Sequence, residues 1–69
     1  DLASRQVLAL TRAALASLPD RQRKALLLRA VAGMTNGDIA AVLGISPGAV
    51  EQLLVRARAG LRATMGDLR

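Results

Sequence analysis

Between Gly33 and Arg62 the chain reads GMTNGDIAAVLGISPGAVEQLLVRARAGLR, and two helix-start signals there stand only eleven residues apart. Thr35 followed three residues later by Asp38 has the shape of a capping box, which predicts a helix from about Asn36 to Leu43. Gly44 and Ile45 then predict a tight turn. Ser46 is suited to cap a second helix, with Pro47 at its first position, where the missing N–H costs nothing. Two helices joined by so short a turn must cross closely and steeply. That crossing needs a small residue at the contact, a glycine able to turn, and an apolar anchor on the second helix. Ala40, Gly44 and Val50 supply them in that order.

The second helix is expected to run to about Thr64. Its apolar set Val50, Leu54, Ala57 and Leu61 is spaced i, i+4, i+7, i+11, which keeps one side of a 3.6-residue helix. Ile39 and Leu43 are expected to face inward from the helix before it, with Ile45 plugging the turn. Upstream, Leu2 to Leu18 is rich in helix formers and places Leu8, Leu15 and Leu18 on one face. Pro19 stops that helix and suits the first turn of the next, which is expected over residues 19–32. In that helix Asp20 lies near the positive end, and Gly33 follows the last turn as a left-handed cap. Leu27, Val31 and Met34 are expected to extend its apolar stripe. The predicted fold class is therefore all-α, a small four-helix domain containing a helix-turn-helix. Residues 1–18 form a leading helix, a possible linker or partner-contact element. Residues 19–64 form the helix-turn-helix domain, and residues 65–69 a frayed tail.

Composition narrows the function classes. With 69 residues the chain makes one domain, too small for a large catalytic cleft. It has no Phe, Trp or Tyr, so the core must be aliphatic and aromatic base-stacking platforms are excluded. The absence of Cys and His removes the usual zinc sites, thiol chemistry, disulfides and imidazole acid/base catalysis. Asp1, Asp20, Asp38, Glu51 and Asp67 are scattered rather than paired. No enzyme, catalytic residue, metal site or cofactor is expected. The net charge of +5, carried almost entirely by arginine, suits a polyanionic partner. No apolar run reaches the roughly 18 residues that a membrane span needs, and no signal peptide opens the chain, so a cytosolic or nucleoid location without membrane insertion is expected. The start at Asp1 suggests a piece of something longer.

A helix-turn-helix points the N-terminal turn of its second helix into a major groove, while the helix before it crosses the phosphate backbone. The residues opposite the Val50 to Leu61 stripe are then the readers. They are Pro47, Gly48, Glu51, Gln52, Val55 and Arg58, with Leu53 and Arg56 on the flanks. Gln52 suits an adenine edge, Glu51 a cytosine amino group, and Val55 or Leu53 a thymine methyl. Arg56, Arg58 and Arg62 form an acid-free segment suited to phosphates, and the backbone amides at Ser46 to Gly48 offer a further phosphate position. A second cationic cluster, Arg21, Arg23, Lys24 and Arg29, lies on the preceding long helix. Arg23 is expected to pair with Asp38 as a lock between helices.

These residues resemble region 4 of the sigma-70 type initiation factors, in the form found in extracytoplasmic-function (ECF) sigma factors. The resemblance covers Leu18 to Arg62. It rests on Leu18 and Pro19, Arg23, Leu26 to Leu28, Gly33, Asp38 to Ala40, Leu43 to Ser46, Val50, and Arg56 to Arg58. It implies a bacterial, cytoplasmic domain that docks on the β flap of the RNA polymerase core and reads the promoter −35 element. It also implies control by an anti-sigma factor that clamps helical faces, with Leu26, Leu27, Leu53 and Val55 as partner-contact candidates. Many members of that family carry Lys, Ser, Arg and His around the anchoring Val, where this chain has Glu51, Gln52, Leu53 and Val55. The reading helix is thus less basic and more apolar. Two alternatives stay open at this level. One is the output domain of LuxR/NarL-type regulators, which has a similar four-helix arrangement. The other is a protein-only sigma mimic whose DNA face has degenerated.

Overall fold

A computed structural model describes residues 11–66, and side-chain surroundings for residues 11–64. The described residues form four helical segments. These are α1 (residues 11–17), α2 (Asp20–Ala30), α3 (Asn36–Leu43) and α4 (Pro47–Gly66). Leu8, predicted on the inner face of the leading helix, lies outside the described residues, as does the end of the tail. Helix α4 continues to Gly66, two residues beyond its expected end.

Local chemistry sets the boundaries as the sequence predicts in the second half. Thr35 Oγ1 accepts a hydrogen bond from the Asp38 N–H at 3.1 Å, and Ser46 Oγ accepts from the Ala49 N–H at 3.1 Å. Each occupies one of the orphan donors of a helix start. Gly44 closes α3 in the left-handed region (φ 69°), its N–H donating to the Ala40 carbonyl, and the Ile45 N–H reaches the same carbonyl at 3.0 Å. The chain bends by 100° between α3 and α4, within the range of helix-turn-helix units.

The core at that bend is small and aliphatic. Ile39 and Ala40 from α3, Val50 and Leu54 from α4 and Ala25 from α2 are buried together, with Leu26, Leu28, Met34, Leu43, Ile45 and Leu53 packed around them. Ala40 lets the two backbones approach. Val50, 0% exposed, fills the crossing.

Three expectations about α2 are corrected. The helix starts at Asp20, with Pro19 outside it in an extended conformation (ψ 146°), and it ends at Ala30 rather than Ala32. The chain then folds back, with the Met34 N–H donating to the Leu28 carbonyl at 3.1 Å and Arg29 Nη1 to the Met34 carbonyl at 3.0 Å. Gly33, with φ 68°, permits that reversal. Leu27 and Val31 do not join the buried stripe. Ala25 marks the inner side of α2, and at about 100° per residue Leu27 and Val31 stand roughly 200° and 240° around from it. Both are exposed, Val31 by 80%, and only Met34 of the expected trio reaches the core. Finally, Arg23 does not reach Asp38. Its guanidinium pairs with Asp20 at 2.9 Å and donates to the Leu18 carbonyl at 3.2 Å and, more loosely, to the Ala16 carbonyl. A carboxylate one helical turn away is reached with less loss of side-chain freedom than one on another helix. Arg23 therefore ties the C-terminal end of α1 to the start of α2.

Leu18, just after α1, packs on α4. Ala14, Leu18 and Ala57 are buried, and a Cβ placed on Gly60 would lie 2.8 Å from Leu18 Cδ2. Glycine in a helix interior costs roughly 1 kcal/mol relative to alanine, and here it makes room for Leu18.

Two outcomes follow from these contacts. No neighbouring atom crowds Gly44, so backbone strain sets the order of its substitutions: Gly44→Ala destabilises by about 1–2 kcal/mol, Gly44→Val by more, and Gly44→Asn least, because asparagine adopts the left-handed region more readily; equal melting temperatures across this series would contradict the turn geometry. Gly60→Ala is better tolerated in a Leu18→Ala background than in the parent, with a coupling of about 0.5–1 kcal/mol in a double-mutant cycle. Additive effects would separate Leu18 from Gly60.

Candidate nucleic-acid interface

The interface is built on α4, a helix of 20 residues anchored along one side by Val50, Leu54, Ala57 and the half-buried Leu61. Counting about 100° per residue from Val50, Gly48, Gln52 and Val55 stand on the opposite side. Glu51, Arg58 and Arg62 lie on one flank and Arg56 on the other. All nine residues predicted to face DNA are exposed: Ser46, Pro47, Gly48, Glu51, Gln52, Val55, Arg56, Arg58 and Arg62. Seven of them, from Gly48 on, stand on the far side or the flanks of α4 relative to Val50, and Ser46 and Pro47 stand at its start.

Distance along the helix divides those residues by chemistry. At about 1.5 Å per residue, Arg58 and Arg62 lie roughly 15 and 21 Å from Gly48. The first two turns present short, amide, carboxylate and aliphatic groups, and the later turns present guanidinium groups. Arg56, Arg58 and Arg62 form no ion pair with any described residue, so their charge is available to an external anion. The Ser46 hydroxyl is already occupied by the Ala49 N–H.

On α2 the balance differs. The Asp20 carboxylate receives both Arg23 and Lys24, each at 2.9 Å. The hydrogen bond from Lys24 and its charge, followed by the charge and hydrogen bond of Arg23, hold the Asp20 carboxyl below its ordinary value of 3.8. Two of the four cations of the second basic cluster thereby share one carboxylate, so the three groups together keep a single positive charge, which the spacing of the cluster alone does not reveal.

The partner-contact candidates separate. Leu26 and Leu53 are half-buried and pack against the core. Leu53 and Leu54 are therefore not part of an exposed Leu-Leu-Val run, and only Val55, 53% exposed, projects from it. Leu27 lines an open apolar groove between α2 and α3 with Lys24, Leu28, Val42 and Leu43. Val42, 61% exposed, is a groove residue that the sequence reading passes over, although it is an apolar residue off the inner face of α3. Gly60 is the other residue missed. A glycine inside an otherwise regular helical pattern is the signal that marks it. Among the described residues no group of His, Cys, Asp or Glu is arranged to hold a metal ion, and no single helix is long and apolar enough to cross a membrane.

A steep two-helix crossing with an exposed, cation-tailed second helix defines a helix-turn-helix domain of the DNA-reading type. Comparison with known proteins makes this specific: the family described as "Sigma-70, region 4" matches residues 8–61, and the chain belongs to that family. It is similar to the ECF RNA polymerase sigma factor ShbA of Streptomyces griseus, with 47% identity over 49 residues covering 71% of this chain and 26% of that protein. The chain thus spans about a quarter of that relative's length, and the likeness places it with the ECF form of the family. No solved structure matches it. The family match removes the LuxR/NarL-type output domain as an alternative.

Acid titration tests the Asp20 cluster. A carboxyl whose folded value is depressed contributes stability above its unfolded value and loses that contribution as pH falls through the folded one. The parent is therefore more stable than Asp20→Asn at neutral pH, and the gap in melting temperature closes as pH falls below the ordinary carboxylate range. A gap independent of pH would show that the ion pairs contribute nothing.

Proposed function

We propose that this chain is the −35-reading domain of an ECF sigma factor, acting without catalysis of its own to direct RNA polymerase to promoters in the bacterial cytoplasm. The observation that carries this reading is the separation of roles on α4. Exposed base-sized side chains occupy the turns nearest the helix-turn-helix bend, and arginines with no ion pair to a described residue occupy the turns beyond them. A major groove about 12 Å wide admits the first two turns of a helix. The same geometry carries Arg58 and Arg62 outward along one flank and Arg56 along the other, toward the phosphates that border the groove. Guanidinium groups there supply affinity, and Glu51, Gln52 and Val55 supply sequence preference.

In this reading the groove of Leu27, Leu28, Val42 and Leu43 is the docking surface for the β flap of the polymerase core. It is apolar, opens on α2 and α3 rather than on α4, and so leaves the DNA face free. An anti-sigma factor would compete for the exposed Leu27 and Val42 or cover Val55. Leu26 and Leu53 would act from beneath as packing residues. A protein-only sigma mimic is the competing reading. The arginines of α4 favour DNA, since none of the three forms an ion pair with a described residue and a degenerate DNA face has no reason to keep them.

Equilibrium binding to duplex DNA across a salt series tests the proposal. Arg58→Ala weakens binding to all duplexes and flattens the slope of log K against log salt by about one unit. An unchanged slope removes Arg58 from the phosphate contacts, and binding insensitive to salt in the parent supports the protein-only reading.

A further inference from the structure

The carboxylate of Glu51 is out of place on a surface that meets a polyanion. It is exposed on the same flank of α4 as Arg58 and Arg62 and has no ion pair with any described residue. Arg58 lies seven residues on, about 10 Å along the axis, too far to neutralise it by contact. Facing phosphates, such a group would only repel. It is compatible with a major groove if it meets a hydrogen-bond donor there, and the exocyclic amino groups of cytosine and adenine are the donors that a major groove presents.

The two are not equivalent for a carboxylate. Adenine sets the N7 acceptor beside its amino group, so the second carboxylate oxygen meets a lone pair. Guanine presents two acceptors. Cytosine presents its amino group with no acceptor on its own edge. One turn further along, Val55 is 53% exposed and aliphatic, with no role in the core. The two residues are separated by about 6 Å along the helix, and base pairs are stacked about 3.4 Å apart. They therefore fall within about two base pairs of each other.

We infer that Glu51 and Val55 form a two-residue specificity element, Glu51 accepting from a cytosine amino group and Val55 packing on a thymine methyl within two base pairs of it. This rests on the duplex-reading function proposed above. It assigns the base preference to the positions where the chain departs most from a basic reading helix. It also makes Glu51 a discriminating residue that lowers affinity for every sequence lacking the cytosine.

Selection of duplexes from a random pool by the parent chain, Glu51→Gln and Val55→Ala tests this. Both side chains are exposed, and unchanged circular dichroism melting verifies that the variants fold. The parent is expected to enrich one site with a cytosine and a thymine no more than two pairs apart. Glu51→Gln is expected to lose about tenfold of the cytosine preference and to gain adenine there, because an amide matches the donor and acceptor of that edge. Replacing the thymine by deoxyuridine is expected to weaken the parent severalfold and leave Val55→Ala unaffected. If Glu51→Gln tightens all duplexes equally and selects the parent's site, the inference is overturned while the duplex-reading function stands. If the parent enriches no site, both fall.

Discussion

The contact of Val50 with Ala40 across the Gly44 turn is the constraint on which the rest depends. A chain without aromatic residues has little apolar volume to bury, and at the α3–α4 crossing it does so with one β-branched anchor against a backbone made accessible by alanine. The left-handed glycine fixes the angle at which α4 leaves that contact. The direction of the reading surface follows, since the residues opposite Val50 have no other side of the helix to occupy. Stability and orientation of the interface are set by the same few atoms.

Charge is distributed as deliberately as packing. The acid of α2 is shared by two neighbouring cations, whereas the arginines of α4 form no ion pair with any described residue. Both α2 and α4 therefore keep a net positive charge, and on α4 it lies beyond Glu51, in the turns that carry Arg56, Arg58 and Arg62. Arg23, cationic like the others, is used for structure, closing the carbonyls at the end of α1 while sharing Asp20 with Lys24. The C-terminal end of α1 is held by Arg23 at its carbonyls and, one residue further on, by Leu18 against Gly60. This ties the leading helix to the far turns of α4, where Arg58 and Arg62 lie.

The legible part of the fold was the local part. Thr35, Ser46, Pro47 and Gly44 act on backbone groups within four residues of themselves, so their roles can be read without knowing the tertiary structure. The Val50 stripe repeats often enough to identify its inward face, and the nine outward residues follow by subtraction. The misreadings fall where two arrangements satisfied the same pattern. Arg23 had Asp20 and Asp38 within plausible reach, and the nearer carboxylate won. Leu27 and Val31 are four apart and looked like a buried stripe, but the inner side of α2 is set by Ala25, a residue small enough to be overlooked. Leu53 sits between exposed and buried neighbours, and only the packing of α4 on α2 decides that it turns inward. Gly60 has meaning only against Leu18, more than 40 residues earlier in the chain.

On the reading proposed above, the side of α4 away from Val50, and not the α2–α3 groove, meets DNA. Backbone amide chemical shifts of the isotopically labelled chain, followed as duplex DNA is added, test it most directly. The account predicts that perturbations concentrate at Ser46 to Gly48, Glu51, Gln52, Val55, Arg58 and Arg62, with the amides around Leu27 and Val42 little changed. Perturbations confined to the Leu27 and Val42 groove, with α4 unaffected, would contradict it.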